Sequence, residues 1–499
     1  MSTAEHPERT GSGAALPERH VPKVHVEVTT TLAARFTAGY ERMVRCLIEE
    51  VQRIPDAPIE LVPVVAAHRD QHRRLTDDER ARLAEHPAGG TNRRRADRFG
   101  PLSPAVRRAV AIPAVGRARN ALARQRRRLT TSPAIRGLDI GMPEYGSVWL
   151  DLEPAWNDPA DRAELLTRLA AEGVHSAAMV ADVMPEKHPE WFDPNQRRLF
   201  GRWLDAHLEH SELFLTISRN TENDLREVAE ARGHDPELNC VVVPLGAELP
   251  AAQPSPVELP RGMDRFLLVV GTLEPRKNQA LVIDAFDQLS ARHPDLGLVL
   301  VGRQGWMVED LVSRIRDHPL AGTRLLWPDG VTDAELAWLY GNAFLTIAPS
   351  HYEGLGVPVM EALGHGSPTL ASDGGAQGEA GGTHVETIDP DDLDTLCVVL
   401  ERHLLDPAHH QALVDRAATY SAPRWSTGAE VMAAALAELA AHRPPGAGRH
   451  PHLPGPGRPD PGSPEPGPPE PGPPEPGPPD PAQDDRPEND RPRDNSPHD

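Results

Sequence analysis

Two glutamates, Glu353 and Glu361, stand eight residues apart in the string APSHYEGLGVPVMEALGHGSPTLAS at residues 348–372. The string reads as a buried strand, a loop with Gly354 and Gly356, and a helix with Pro358 in its first turn. Proline suits that turn, because its missing N–H has no intrahelical partner there. The free amides of a helix start, at the positive end of its dipole, form a site for phosphate. Acids beside such a site would repel phosphate unless they do something else, and accepting hydrogen bonds from sugar or ribose hydroxyls is such a task. One glutamate near a helix start is ordinarily a surface residue; the whole string argues for a ligand. A second cluster lies in VVGTLEPRKN at residues 269–278, where a strand meets Gly271 and then the adjacent cations Arg276 and Lys277. Such a pair after a glycine loop suits a departing diphosphate.

These loops need strands and helices to hold them. In the second half, RFLLVV, LGLVLVG, AFLTIAPS and PTLAS read as strands, alternating with helices such as QALVIDAFDQLSAR and DAELAWLYGN. The first half shows the same alternation. VHVEVTTT at 24–31 reads as a strand, then TAGYERMVRCLIEEVQRI as a helix with apolar Met43, Val44, Leu47, Ile48 and Val51. IELVPVVAA, SVWLDLEPAW, SAAMVADVMP, FLTISRN and CVVVPLG continue as strands. Between the halves, residues 247–264 hold four prolines and read as a linker. The fold class expected is α/β, with two Rossmann-like doubly wound domains facing a cleft, where such folds bind ligands. The expected division is a disordered 1–22, an N-terminal domain at 23–248, a linker at 249–264, a C-terminal domain at 265–422, a helix at 423–442 and a tail at 443–499.

Composition narrows the class. The chain has 499 residues and a net charge of −22. Residues 443–499 hold 21 of the 54 prolines, in repeats such as PEPGPPEPGPPEPGPPDP. That tail has too little apolar surface to offset its ordering entropy and reads as disordered, a spacer or solubilising segment. It carries 11 acids against 6 arginines, so −17 belongs to the rest, which argues against general nucleic-acid binding. Three scattered cysteines, Cys46, Cys240 and Cys397, form no zinc or disulfide framework and suggest a reducing compartment. No run reaches the length of a membrane span, and the first residues lack a signal peptide's apolar stretch. A cytoplasmic location follows as the expectation. An insertion at about 69–136 interrupts the alternation, with twelve arginines and one acid between Arg93 and Arg128. It is either a solvated insertion or a contact with an anionic membrane surface, where lipid-linked acceptors sit.

The string PSHYEGLGVPVMEAL resembles the Glu-x7-Glu signature of family 4 retaining glycosyltransferases of the GT-B fold. Other segments are similar to that family in the same order: TAGYERMVR, VPLGAE, VVGTLEPRKN, VTDAELAWLYGNAFLTIAPS and ASDGGAQGEAGG. The resemblance covers roughly residues 146–441, and more thinly 24–67. It implies transfer of a sugar from a nucleotide-sugar donor to an acceptor hydroxyl with retention, for surface polysaccharide or glycoconjugate synthesis. A GDP- or dTDP-sugar is favoured, with UDP-sugars open. The acceptor would be a glycan, a lipid-linked molecule or another hydroxyl compound.

The same resemblance assigns roles. Arg276 and Lys277, with Gly271 and Thr272 in their loop, would bind the donor diphosphate. Glu361 would accept from the ribose and Glu353 would face the transferred sugar. The amides of Leu355, Gly356 and Val357, beside Gly354, would meet phosphate and sugar oxygens, and Gly302, Arg303 and residues 329–332 would line the base. On the acceptor side stand Gly39 and, from ADVMPEKHPEWF, Asp182 as the catalytic-side acid and His188. Ser218 and Arg219 are expected to end a strand on that face. No cofactor or metal is implied, since the two cations can supply the charge. A glycosyl phosphorylase or nucleotide-sugar epimerase on the same fold is the alternative, and nucleic-acid binding through the arginine segment a remote one.

Overall fold

A computed structural model describes residues 21–34, 39–68, 71–85, 140–157, 161–249 and 253–442. The first of its two sheets contains β1 (Lys23–Glu27), β2 (Glu60–His68), β3 (Gln71–Arg74), β4 (Val148–Asp151), β5 (His175–Val180), β6 (Leu213–Thr216) and β7 (Cys240–Val242). Their spatial order is β3-β2-β1-β4-β5-β6-β7. All neighbours run parallel except β2 and β3, which pair antiparallel at the edge. The second sheet holds β8 (Arg265–Val270), β9 (Leu296–Val301), β10 (Leu325–Leu326), β11 (Leu345–Ala348), β12 (Thr369–Ser372) and β13 (Glu386–Ile388). Its order is β10-β9-β8-β11-β12-β13, all parallel. In both sheets the order reverses beside the first strand, which opens a crevice at the strands' carboxyl ends.

The apolar pattern builds these layers. Helix Gly39–Arg53 buries Met43, Val44, Leu47, Ile48 and Val51, the stripe its spacing predicts. These residues share a core with Val24 and Val26 of β1 and with Met432, Ala433 and Leu436 of the last helix, Trp425–Ala441. The chain therefore returns from the C-terminal half to pack on the N-terminal sheet. The same core takes in Val359 and Met360 from the helix that follows Gly356.

Four local expectations are corrected. The segment 24–31 is a strand only to Glu27, and Thr29–Ala33 turns helical. The cause is tertiary: the carboxylate of Glu153 accepts the amides of Thr30 at 2.6 Å and Thr31 at 2.7 Å. Ser218 and Arg219 do not end a strand, which stops at Thr216; Ser218 caps helix Arg219–Ala231, accepting from the Thr221 amide at 3.0 Å. The glycine-rich stretch after β12 contains a short helix, Gln377–Gly381, and leads to β13, which alternation alone did not reveal. The interruption at residue 69 begins as structure, with β3 and the helix Asp77–Ala84, held by a capping box between Thr76 and Glu79. The arginine-rich stretch 93–128, the terminal segments 1–20 and 443–499, and linker residues 250–252 lie outside the described residues.

Candidate active site

The C-terminal part of the candidate site is assembled around two glycines that follow strand ends. Gly271 follows β8 and Gly302 follows β9; a Cβ on Gly302 would lie 1.9 Å from the Gly271 carbonyl oxygen. The loops therefore touch backbone to backbone, which glycine alone allows. After Gly271 the loop makes a 3₁₀ turn, Pro275–Lys277, and enters helix Gln279–Ser290 through Asn278, which is left-handed at φ 51°. The Thr272 carbonyl accepts from the Gln279 side chain at 3.0 Å, tying the loop to the helix. The stem of Lys277 lies back along Gly271. Arg276 and Lys277 thereby face the loop that follows β11.

There they meet Glu353. Arg276 donates to its Oε2 at 2.7 Å, Lys277 pairs with its Oε1, and the Ser350 hydroxyl donates to Oε1 at 2.7 Å. Arg276 also pairs with Glu274 at 2.7 Å and donates to the Tyr352 carbonyl at 3.1 Å. Burial pushes the Glu353 carboxyl up, but the two cations outweigh it and hold its pKa at about 2. Glu274 is pushed up by burial, against the pull of Arg276 and Lys277. The pair of cations thus already holds an anion, the carboxylate of Glu353, where the sequence led us to expect one from a donor.

The second acid of the signature is held differently. Glu361 sits one turn into helix Val357–Gly364 and is buried. Its Oε1 accepts from Arg42 at 2.7 Å and its Oε2 from the Tyr340 hydroxyl at 3.0 Å. Burial pushes its pKa up while Arg42 pulls it down. Arg42 comes from helix Gly39–Arg53 and also reaches Asp333 at 3.1 Å, so one guanidinium ties the N-terminal half to two elements of the C-terminal half. Gly356 starts this helix in the left-handed region, φ 89°, and no side chain caps it. Leu355 and Gly356 lead directly into the turn that Val357 opens, where the amides point away from the helix body. A small recess here is lined by Lys277, Gln279, Ser350, Glu353, Pro358 and Gln377 among others. Gly302 and Arg303 follow β9; the Gly302 carbonyl accepts from the Trp327 indole at 2.7 Å, and Arg303 is exposed.

The N-terminal half closes over this site. Gly354 lies so near β5 that a Cβ on it would sit 2.4 Å from the Ala181 carbonyl oxygen and 3.1 Å from Asp182 Cβ. The Gly354 carbonyl accepts from Ser218 at 2.6 Å and Thr221 at 3.1 Å. Asp182 accepts from the Met184 amide at 3.1 Å; burial pushes its pKa up, and Arg276 pulls it down. Tyr40 lies close enough for Asp182 to help burial push its hydroxyl up as well. His188 stacks on Trp191 at 4.3 Å and sits 4.8 Å from the Tyr352 ring. Gly39 opens its helix with nothing within 4 Å of where a Cβ would be. Arg219 is exposed, and it is its backbone amide that contacts Glu379, at 3.1 Å.

Asp182, Arg276, Lys277 and Glu353 are thus brought into one electrostatic cluster, with Glu361 in a second cluster around Arg42. His188 sits beside Tyr352 and Arg219 meets Glu379 through its backbone, whereas Gly39 opens the helix that carries Arg42. Sequence reasoning missed Arg42, whose signal was the first of the two arginines in TAGYERMVR. It also missed Tyr352, which receives a hydrogen bond from Asn220 at 2.9 Å and pairs with Asp224. Trp306, which donates to the Trp191 carbonyl at 2.7 Å, carried no signal in its spacing.

The chain is similar to several known proteins. Residues 254–419 match the family described as glycosyl transferases group 1. The serotype-specific mannosyltransferase WbdA of Escherichia coli is 32% identical over 226 residues, 42% of this chain and 28% of that protein. The O-antigen chain mannosyltransferase B of Escherichia coli is 27% identical over 246 residues, 46% of this chain and 61% of that one. The chain thus spans less than two thirds of these curated relatives. Among solved structures, a sucrose-phosphate synthase from Thermosynechococcus elongatus superposes with a TM-score of 0.50 at 17% identity, covering 84% of this chain and 96% of that one. The described residues contain no helix long and apolar enough to cross a membrane. With paired doubly wound sheets and a group 1 match at residues 254–419, this chain has a GT-B fold, and its C-terminal half is similar to the glycosyl transferases of group 1.

Proposed function

We propose that the protein transfers a sugar from a nucleotide-sugar donor to an acceptor hydroxyl, with retention of configuration, in the synthesis of a surface polysaccharide or glycoconjugate. Residues 265–422 would hold the donor and residues 23–248 the acceptor. The observation that carries this reading is the convergence of Arg276 and Lys277 on one buried carboxylate, Glu353. Two cations held in place around an anion are preorganised for a diphosphate, whose negative charge grows as the sugar leaves. Donor binding would draw the cations onto the phosphates, leaving Glu353 free to accept from sugar hydroxyls. Burial already disfavours charge on Asp182 and Glu274, which lowers the repulsion that the incoming anion would meet.

In the proposed reaction the bond from the anomeric carbon to the phosphate oxygen breaks. A bond from that carbon to the acceptor oxygen forms on the same face, and the acceptor proton passes to the departing phosphate. Charge on the leaving group is met by Arg276, Lys277 and the amides at Leu355, Gly356 and Val357, with no metal needed for that task. The contacts of Ser218 and Thr221 with Gly354 would keep water out while the sugar is in transit. Relatives named as mannosyltransferases favour mannose, and with it a GDP-sugar, over the dTDP and UDP alternatives. Inorganic phosphate as acceptor would instead mark a phosphorylase.

The test is thermal stabilisation by GDP, dTDP, UDP and ADP, followed by transfer assays with the corresponding sugars. A nucleotide at one hundred times its dissociation constant adds about 2.7 kcal/mol. GDP alone should stabilise the wild type, and Lys277→Ala should lose both that shift and turnover. Equal stabilisation of wild type and Lys277→Ala by the same nucleotide would refute the assignment.

A further inference from the structure

Elements that contribute nothing to the cleft carry a second convergence of ligating side chains. Glu386 lies in β13, His403 in the last turn of helix Leu393–Leu405, and His409 in the first turn of helix Pro407–Ala418. Asp406 joins the two helices, its carboxylate accepting the amides of Ala408 and His409 at 3.1 Å each. That cap and Pro407 fix a tight junction, which swings His409 back over His403. Their rings stand 4.4 Å apart, inclined by 39°.

Glu386 Oε2 lies 3.2 Å from His403 Nε2 and 3.3 Å from His409 Nε2. Two ligand atoms bound to one tetrahedral zinc ion at 2.0–2.1 Å stand roughly 3.3–3.4 Å apart. The spacing therefore already matches ligands of one ion, and all three atoms fall within 4.8 Å of one another. Among the described residues this is the one such group of three. His403 is fully buried, and His409 Nε2 is enclosed and makes no hydrogen bond, although the Glu386 carboxylate lies 3.3 Å away. A cation between that nitrogen and the carboxylate would engage both. Arg416 stands 3.8 Å from the same Glu386 oxygen with its side chain 45% exposed. It marks the place as one that attracts positive charge, and it is free to turn into solvent when another cation takes over.

We propose that Glu386, His403 and His409 form a binding site for a divalent transition-metal ion of the zinc class, with the remaining coordination position open to water. Two imidazoles and one carboxylate suit zinc and its neighbours better than calcium or magnesium, which take oxygen ligands. The ion would pin the edge strand β13 to both helices just before the chain crosses back to the N-terminal sheet. It takes no part in sugar transfer.

The experiment is cobalt(II) titration of the full, tag-free chain after chelator treatment, followed by zinc displacement. One equivalent should bind with the visible absorption of a tetrahedral site, zinc should abolish that absorption, and the melting temperature should rise. His409→Ala and Glu386→Gln should each weaken binding by at least about tenfold. Replacing His450, His452 and His498 together, which lie outside the described residues, should leave it unchanged. Unaltered metal-free circular dichroism in the two site variants distinguishes loss of a ligand from loss of the fold. Wild-type affinity in both variants, or no stoichiometric binding by the wild type, overturns the proposal.

Discussion

At the scale of single residues, Glu353 is the pivot. It is buried, yet two cations keep it ionised, so its folded pKa of about 2 lies below the ordinary 4.5. A carboxyl whose pKa is lowered by folding stabilises the protein above its unfolded value, and the gain is lost as pH falls through the folded one. At neutral pH this is worth on the order of 3 kcal/mol, and more than half should be gone by pH 3. Glu353→Gln should therefore be markedly less stable than wild type in urea at pH 7, with the gap closing at pH 3. A gap independent of pH would mean that the carboxylate does not carry the stabilisation. The pairing of Glu353 with Arg276 and Lys277 was only half legible in sequence. Both motifs stood out, but nothing in either string says that one neutralises the other across 77 and 76 residues.

At the scale of elements, helix Gly39–Arg53 does two things with opposite faces. Its apolar stripe fills the core, while Arg42 crosses to Glu361. Truncating one partner of a buried pair leaves the other charge uncompensated, at a cost of about 3–5 kcal/mol. Arg42→Ala should show a loss of this order in chemical denaturation; a change within about 0.5 kcal/mol, the level of ordinary surface substitutions, would mean that the contact does not join the halves. The same contact makes Glu361→Ala a poor probe of catalysis, since it strands Arg42 as well as removing the carboxylate. The stripe Met43–Val51 was readable because helical spacing dictates it. The helical turn Thr29–Ala33 was not, because three threonines favour extended backbone and only the distant carboxylate of Glu153 overrides them.

At the scale of the whole molecule, the two sheets are joined by shared packing. Helix Trp425–Ala441 leaves the C-terminal half and brings Met432, Ala433 and Leu436 into one core with Leu47 and Val24, while Val359 and Met360 enter the same core. A core spanning both halves should unfold as one. Leu436→Ala should cost about 2–5 kcal/mol, as buried leucine truncations do, and lower a single transition. Two separable transitions in calorimetry, only one of them moved by the substitution, would show that the halves fold independently.

The sequence alone determined what local chemistry controls. β-branched runs made the strands, helical spacing made the stripes, and glycine and proline at strand ends marked the loops of the candidate site. Hence the fold class and the segments 269–278 and 348–372 could be read directly. Only the tertiary structure decided which groups meet: Arg42 with Glu361 across 319 residues, Ser218 with Gly354 across 136, and the last helix with helix Gly39–Arg53. The reason is physical. Propensity and periodicity act over a turn or a strand, whereas ion pairs and shared cores depend on distances that the chain defines only once both sheets have formed.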